Sequence, residues 1–283
     1  MMKSIIVGLD GSPASQSALA EAIFWANRLK AELRGLFVED EQRFLTYPPG
    51  ISAEGGIPIA VPIANEDMEE ENRKIQAEGD ELQRVFQNAC AELTTHHVFR
   101  RVRGNVNEVL TREALAADLV VLGRRGLSDG PDSRKPGPTT EALIHGSLRP
   151  VLVVPENAKV GSGALFAYDG SQGVQRVLVP GTILARAREG DVHVISILDD
   201  REKADRLVRT LDEYWRPHGI KPVYIPGERT GRVSDMITDI AAQKEVGFIV
   251  MGAFGHSPLS EFIFGSTTLE VLEKTDCPVL LMV

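Results

Sequence analysis

The chain alternates short apolar runs with stretches of helical periodicity. Residues 4–9, 118–122 and 150–154 are apolar runs that predict buried strands, and residues 32–39 and 97–102 predict two more. Behind the first run, Ala18, Leu19, Ala22, Ile23 and Ala26 recur at helical spacing. Ser12 is placed to cap that helix, with Pro13 at its first position. Residues 66–93 predict a long amphipathic helix with Ile75, Leu82, Phe86, Ala89 and Leu93 on one face. Shorter helices are predicted over 106–115 and 139–144. Residues 43–64 break the pattern. Pro48, Pro49, Pro58 and Pro62 exclude a helix, yet Tyr47, Ile51, Ile57, Ile59, Val61 and Ile63 are too apolar for free coil. This stretch is either an irregular loop packed on its own domain or an arm lying over a partner domain or a pocket.

After a small polar stretch at 156–163 the pattern restarts. Residues 164–171, reading Ala-Leu-Phe-Ala-Tyr-Asp-Gly-Ser, repeat the apolar run that ends at Asp10-Gly11-Ser12. A helix is predicted from Gln172, with Pro180-Gly181 expected to kink or interrupt it. Strands are predicted over 191–197, 221–225, 246–251 and 278–283. Helices are predicted around Ala204, Leu207, Val208, Leu211 and Trp215, over 233–242 and over 266–273. The spacings support a tandem repeat: 13 positions separate Gly137 from Pro150, and 13 separate Gly265 from Pro278. The first copy carries the proline-rich stretch and the longer helix as extra length. The expected domains are 1–156 and 163–283. Each alternates strand and helix with short connections, so each predicts a parallel sheet covered by helices on both faces.

The sharpest motif lies near the C-terminus. It runs from a buried strand through Gly252-x2-Gly255-x9-Gly265-Ser266 into a helix. Glycines let backbone approach a ligand, and a helix start offers unpaired N–H groups that suit phosphate. The first copy has Gly123-x2-Gly126, but ten residues precede Gly137, and Pro138 stands where Ser266 does. Proline has neither an N–H nor a hydroxyl, so two donors are missing together. Arg124, Arg125, Arg134 and Lys135 are either substitutes for that charge or solvated loop residues.

On this motif and the repeat, the chain resembles the universal stress protein family, in its ATP-binding branch, over nearly its whole length. The resemblance implies two tandem Rossmann-like domains of the adenine nucleotide alpha hydrolase type. Each would be a five-stranded parallel sheet of order 3-2-1-4-5. It implies ATP as ligand, with Mg²⁺, and a loop that wraps the ribose and phosphates. Carried onto this sequence, the adenine side is Asp169 and Ile197. The loop side is Gly252, Gly255, His256, Gly265, Ser266 and Thr267. The weaker first-copy counterparts are Asp10, Val38, Gly123 and Gly126. Each aspartate has a plainer reading as a turn residue ahead of a helix, and His256 as an exposed loop residue. The resemblance also implies that the fifth strands of the two copies pair as a pseudo-dimer inside the chain. A homodimer, by way of the proline-rich stretch, stays open.

Composition narrows the partners. A net charge of −9 without a Lys/Arg-rich run disfavours duplex nucleic acid. No apolar run approaches the length of a membrane span. Cys90 and Cys277, the two cysteines, form no C-x-x-C pair and are expected as buried thiols. Met1-Met2-Lys3-Ser4 leads straight into the first strand, which leaves no room for a signal peptide, and the cytoplasm is expected. There is no P-loop or H-E-x-x-H motif. Three functions stay open: an ATP-binding stress or regulatory protein, an interaction module without nucleotide, and a weak ATPase.

Overall fold

The computed structural model describes residues 1–46, 58–127, 129, 134–198, 201–226, 231–253 and 265–283. In the first copy the elements run β1 (Ser4–Gly8), α1 (Pro13–Leu29), β2 (Glu32–Asp40), β3 (Leu45–Thr46), β4 (Val61–Pro62), α2 (Asn65–Ala89), β5 (His97–Gly104), α3 (Val106–Ala114), β6 (Leu119–Gly123), α4 (Pro138–Gly146) and β7 (Val151–Val154). The second copy runs β8 (Ala164–Ala167), α5 (Gln172–Ala187), β9 (Val192–Ser196), α6 (Arg201–Trp215), β10 (Val223–Pro226), α7 (Val233–Gln243), β11 (Ile249–Val250), α8 (Ser266–Lys274) and β12 (Val279–Leu281).

Ten of these strands form one sheet in the order β10-β9-β8-β11-β12-β7-β6-β1-β2-β5. Within each copy this is the parallel order 3-2-1-4-5. The copies join antiparallel through their fifth strands, with Val279, Leu280 and Leu281 opposite Val153, Leu152 and Val151. All six residues are buried. Each fifth strand would be an apolar sheet edge if its copy stood alone, and the pairing removes both edges. Among the described residues, the remaining edges of this sheet are β5 and β10.

Helices cover both faces, as the repeat demands. One apolar layer packs α1, α2, α5 and α6 on one face, and a second packs α3, α4, α7 and α8 on the other. Both layers run across the junction between copies. Trp25 of α1 meets Phe248, just before β11, edge to face at 5.5 Å. Ion pairs between the copies join Glu21 to Arg188 at 2.9 Å and Arg28 to Glu189 at 3.2 Å. Arg188 also stacks over Phe24 and donates to the Gly161 carbonyl. Gly247 lies against this guanidinium so closely that a Cβ there would collide with it.

Two expectations change. The helix after β8 is not interrupted at Pro180-Gly181; α5 continues through both. Both residues are buried, and a Cβ on Gly181 would stand 2.8 Å from Val250 and 2.9 Å from Phe166. Close packing of the helix on the sheet outweighs the lost backbone bond. Thr182 braces the same turn, donating to Leu178 O at 2.7 Å and accepting from Trp215 Nε1 at 2.8 Å. The strand expected over 246–251 is also shorter, since β11 keeps only Ile249–Val250.

Of the proline-rich stretch, the described ends form the small antiparallel pair β3–β4. Phe44 packs with Phe37, Ile75 and Leu82 of its own copy, under the guanidinium of Arg103. Residues 47–57 lie outside the described residues. Cys90 and Cys277 are both buried and unpaired. Burial pushes their thiols up to about 11 and about 12. Among the described residues, no helix is long and apolar enough to cross a membrane, and no acidic, His or Cys cluster is placed to hold a metal ion.

Candidate functional site

Parallel α/β sheets bind ligands beyond the carboxyl ends of their strands, where strand order reverses. In the second copy that point lies between β8 and β11, which pair Leu165 with Ile249 and Phe166 with Val250. The register brings the turn at Asp169 beside the glycine that follows β11. Asp169 accepts from Ser171 N at 2.9 Å, and Gly170 takes φ +76°. Ser171 caps α5, accepting from Val174 N. The turn reading of Asp169 is therefore real, and it leaves the residue at the switch point. Ile197 is half-buried just past β9, on the α7/α8 side of the sheet. Val38 holds the matching place at the end of β2.

Gly252 is required by packing. A Cβ there would lie 2.8 Å from Val174 N. Gly123 faces Ala14 and Ser15 in the same manner. The first glycine of each motif thus lets strand 4 pass the start of the helix that follows strand 1. Gly255 and His256 lie outside the described residues.

Gly265 caps α8 without a side-chain hydrogen bond, and its own N–H reaches Ala253 O at 3.4 Å. Ser266 is exposed and Thr267 half-buried. The first helical bond is Leu269 N to Gly265 O at 3.1 Å. Among the described residues nothing accepts from the N–H groups of Ser266, Thr267 and Thr268. Three donors and the positive end of a helix thus face the carboxyl end of the sheet.

Two residues that sequence reasoning passed over set this geometry. Thr268 donates to Gly252 O at 3.1 Å, and Thr140 donates to Gly123 O at 3.0 Å. Each is buried and ties the helix start to the glycine that ends strand 4. The sequence signal is their common position, three residues after Gly265 and after Gly137.

The first copy is built differently at the same place. Both oxygens of Asp10 are taken by its own chain. Oδ1 accepts from Ser12 N at 3.0 Å and Ser12 Oγ at 2.6 Å, and Oδ2 accepts from Leu127 N at 2.8 Å. Gly126 N donates to the Asp129 carboxylate at 2.7 Å. That carboxylate lies against Gly137, where any Cβ would collide with it. A carboxylate therefore stands at the start of α4, where a phosphate would have to sit. Arg125 is turned to the carbonyls of Lys135 and Asp129. Arg134 pairs with Asp276 of the second copy at 2.7 Å. Arg124 is buried and donates to Leu272 O and Thr275 O of the second copy at 2.8 and 3.0 Å. Burial, with help from Arg134, holds its pKa below the usual arginine value.

Fold and site define a tandem, doubly wound α/β protein whose two switch points differ among the described residues: Asp129 lies against the start of α4 in the first copy, and no described residue accepts from the first N–H groups of α8 in the second. The profile of the universal stress protein family matches residues 1–155 and 164–282, and the chain belongs to that family. It is 24% identical to a universal stress protein of Synechocystis over 99% of both chains. Among solved structures it is similar to a universal stress protein of Archaeoglobus fulgidus, with TM-score 0.71 and 18% identity, over 99% of this chain and 95% of that one. A functionally unknown protein of Pseudomonas aeruginosa matches with TM-score 0.61 and 15% identity, over 99% and 92%. At these identities the structural likeness establishes the fold.

Proposed function

We propose that this universal stress protein binds one adenine nucleotide per chain, ATP with Mg²⁺, in the second copy. The reading is carried by one observation: among the described residues the N–H groups of Ser266, Thr267 and Thr268 have no acceptor where they open α8 at the switch point, beside the turn at Asp169. Asp169 and Ile197 take the adenine side. Gly252, Gly255, Gly265, Ser266 and Thr267 form the ribose and phosphate side, with His256 in the same loop. Magnesium arrives on the phosphates. The proposed activity is binding, with partners reading the nucleotide state in a stress or regulatory response. The cytoplasm is the proposed location, on the ground of two free buried cysteines. Denaturing freshly purified chain and analysing the released small molecules tests the reading. An adenine nucleotide supports it. Its absence, together with no heat of binding on adding ATP and Mg²⁺, overturns it in favour of an interaction module.

A further inference from the structure

Two basic residues of the first copy's glycine loop, Arg124 and Arg134, reach the other half of the chain. Arg124 follows Gly123 directly, and its backbone is pinned at both ends. Its N–H donates to Val154 O at 2.7 Å, and its carbonyl accepts from Gly137 N at 2.9 Å. From that fixed base its side chain, 7% exposed, crosses the junction to the carbonyls of Leu272 and Thr275. These lie at the C-terminal end of α8, where helical carbonyls lack internal partners and partial negative charge gathers. Arg134 adds a second cation there, pairing with Asp276 and reaching Lys274 O at 3.4 Å. The other end of α8 is Ser266, about 13 Å away along a nine-residue helix.

We propose that Arg124 is a positioning residue for the second copy's nucleotide site, acting through α8: the first copy has given up its own ligand and caps its neighbour's phosphate-binding helix instead. This rests on the nucleotide reading above. The cap works in two ways. It fixes the far end of a short helix whose near end must present three N–H groups in register. It also neutralises the negative pole, which leaves the positive pole at Ser266 less offset for an anion. The arrangement is one-sided. Ala253 holds the place of Arg124 in the second copy and has no donor to return to α4. The side-chain cap therefore runs from the first copy's loop to α8, and Ala253 supplies no counterpart to it at α4.

The test uses the full-length chain and two readouts. Arg124→Met should speed amide hydrogen exchange across residues 266–275 in nucleotide-free protein while leaving residues 138–147 unchanged. It should also weaken ATP·Mg²⁺ binding by about fivefold. Arg124→Lys, which keeps the charge, should recover part of both. Arg188→Met, which loosens the same junction away from α8, supplies the control: its melting temperature falls, but neither readout moves. Unchanged exchange at 266–275 in Arg124→Met overturns the inference whether or not ATP binds. Equal effects from Arg188→Met and Arg124→Met also overturn it, since both would then report simple destabilisation. Faster exchange with unchanged ATP affinity leaves Arg124 as a structural cap and refutes the coupling. Wild-type protein that binds no ATP brings down the nucleotide reading, and the coupling with it.

Discussion

Pro138 and Ser266 hold the same position in the two copies, each the first residue of a helix capped by glycine. Among the described residues Ser266 has an N–H and a hydroxyl without a partner at the switch point, and Pro138 has neither group. The difference extends beyond that one residue. Around Pro138 the chain has folded its own carboxylate, Asp129, against Gly137 and onto Gly126 N. An incoming phosphate would meet like charge there and would have to displace bonds already made.

Restoring the serine is therefore not enough. Pro138→Ser should leave the first copy without measurable ATP affinity, because Asp129 still occupies the start of α4 and Leu127 N still holds Asp10. Combining it with Asp129→Ala should give weak binding at a second site. Calorimetry on the single and double variants checks the order. Tight second-site binding by Pro138→Ser alone would show that the carboxylate is no obstacle.

Asp169→Ala should weaken ATP binding without unfolding the chain, since Ser171 still caps α5. A lost hydrogen bond to the ligand costs about 1–2 kcal/mol, or roughly five- to thirtyfold in affinity. Equal affinity in variant and wild type, with equal melting, would reduce Asp169 to its turn role.

The junction predicts how the halves behave apart. Each half expressed alone would expose an apolar edge, β7 or β12, that is wholly buried in the chain. Each should self-associate, and mixing should favour the heterodimer. Sedimentation of separate and mixed halves measures this. Halves that both remain monomeric at high concentration would contradict the account of the junction.

The Glu21–Arg188 pair predicts a pH dependence. Burial raises the Glu21 pKa, and Arg188 offsets only part of that rise. The folded state then holds the proton more tightly than the unfolded state. The stability contributed by protonated Glu21 is fully present below the ordinary carboxylate pKa and is lost as pH rises through the raised value. Glu21→Gln should remove this component of the pH profile. Glu21→Ala should cost about 3–5 kcal/mol at neutral pH by stranding the buried Arg188. Denaturant melts across pH 4 to 8 read both. A Glu21→Gln profile identical to wild type would rule out Glu21 as the source.

The sequence made the tandem repeat legible because apolar runs and glycine spacings recur on each side of residues 156–163. With the family resemblance, that was enough to expect the strand order and the fifth-strand pairing. Long-range contacts left no such trace. Arg124 and Arg134 look like solvated loop charges in sequence, and only the fold brings them to the C-terminal end of α8. Asp129 carries no motif, and its role comes from the way the first-copy loop closes on Gly137. Pro180 reads as a helix breaker because local rules see the lost bond, whereas the packing that offsets it involves Phe166 and Val250 on distant strands. Thr140 and Thr268 were visible as a repeat but not as a function, since threonine near a helix start is common. The loop glycine Gly255 and His256 remain expectations from sequence.

The asymmetry between the copies is tested most directly by the stoichiometry of ATP binding. Titration calorimetry with Mg²⁺ on protein stripped of nucleotide should give one site per chain, and Ser266→Pro should abolish it. Losing two charge-assisted donors is worth about 3–6 kcal/mol, at least a hundredfold in affinity. Two sites per chain, with Ser266→Pro removing only one, would contradict the account and show that the first copy binds nucleotide despite Pro138 and Asp129.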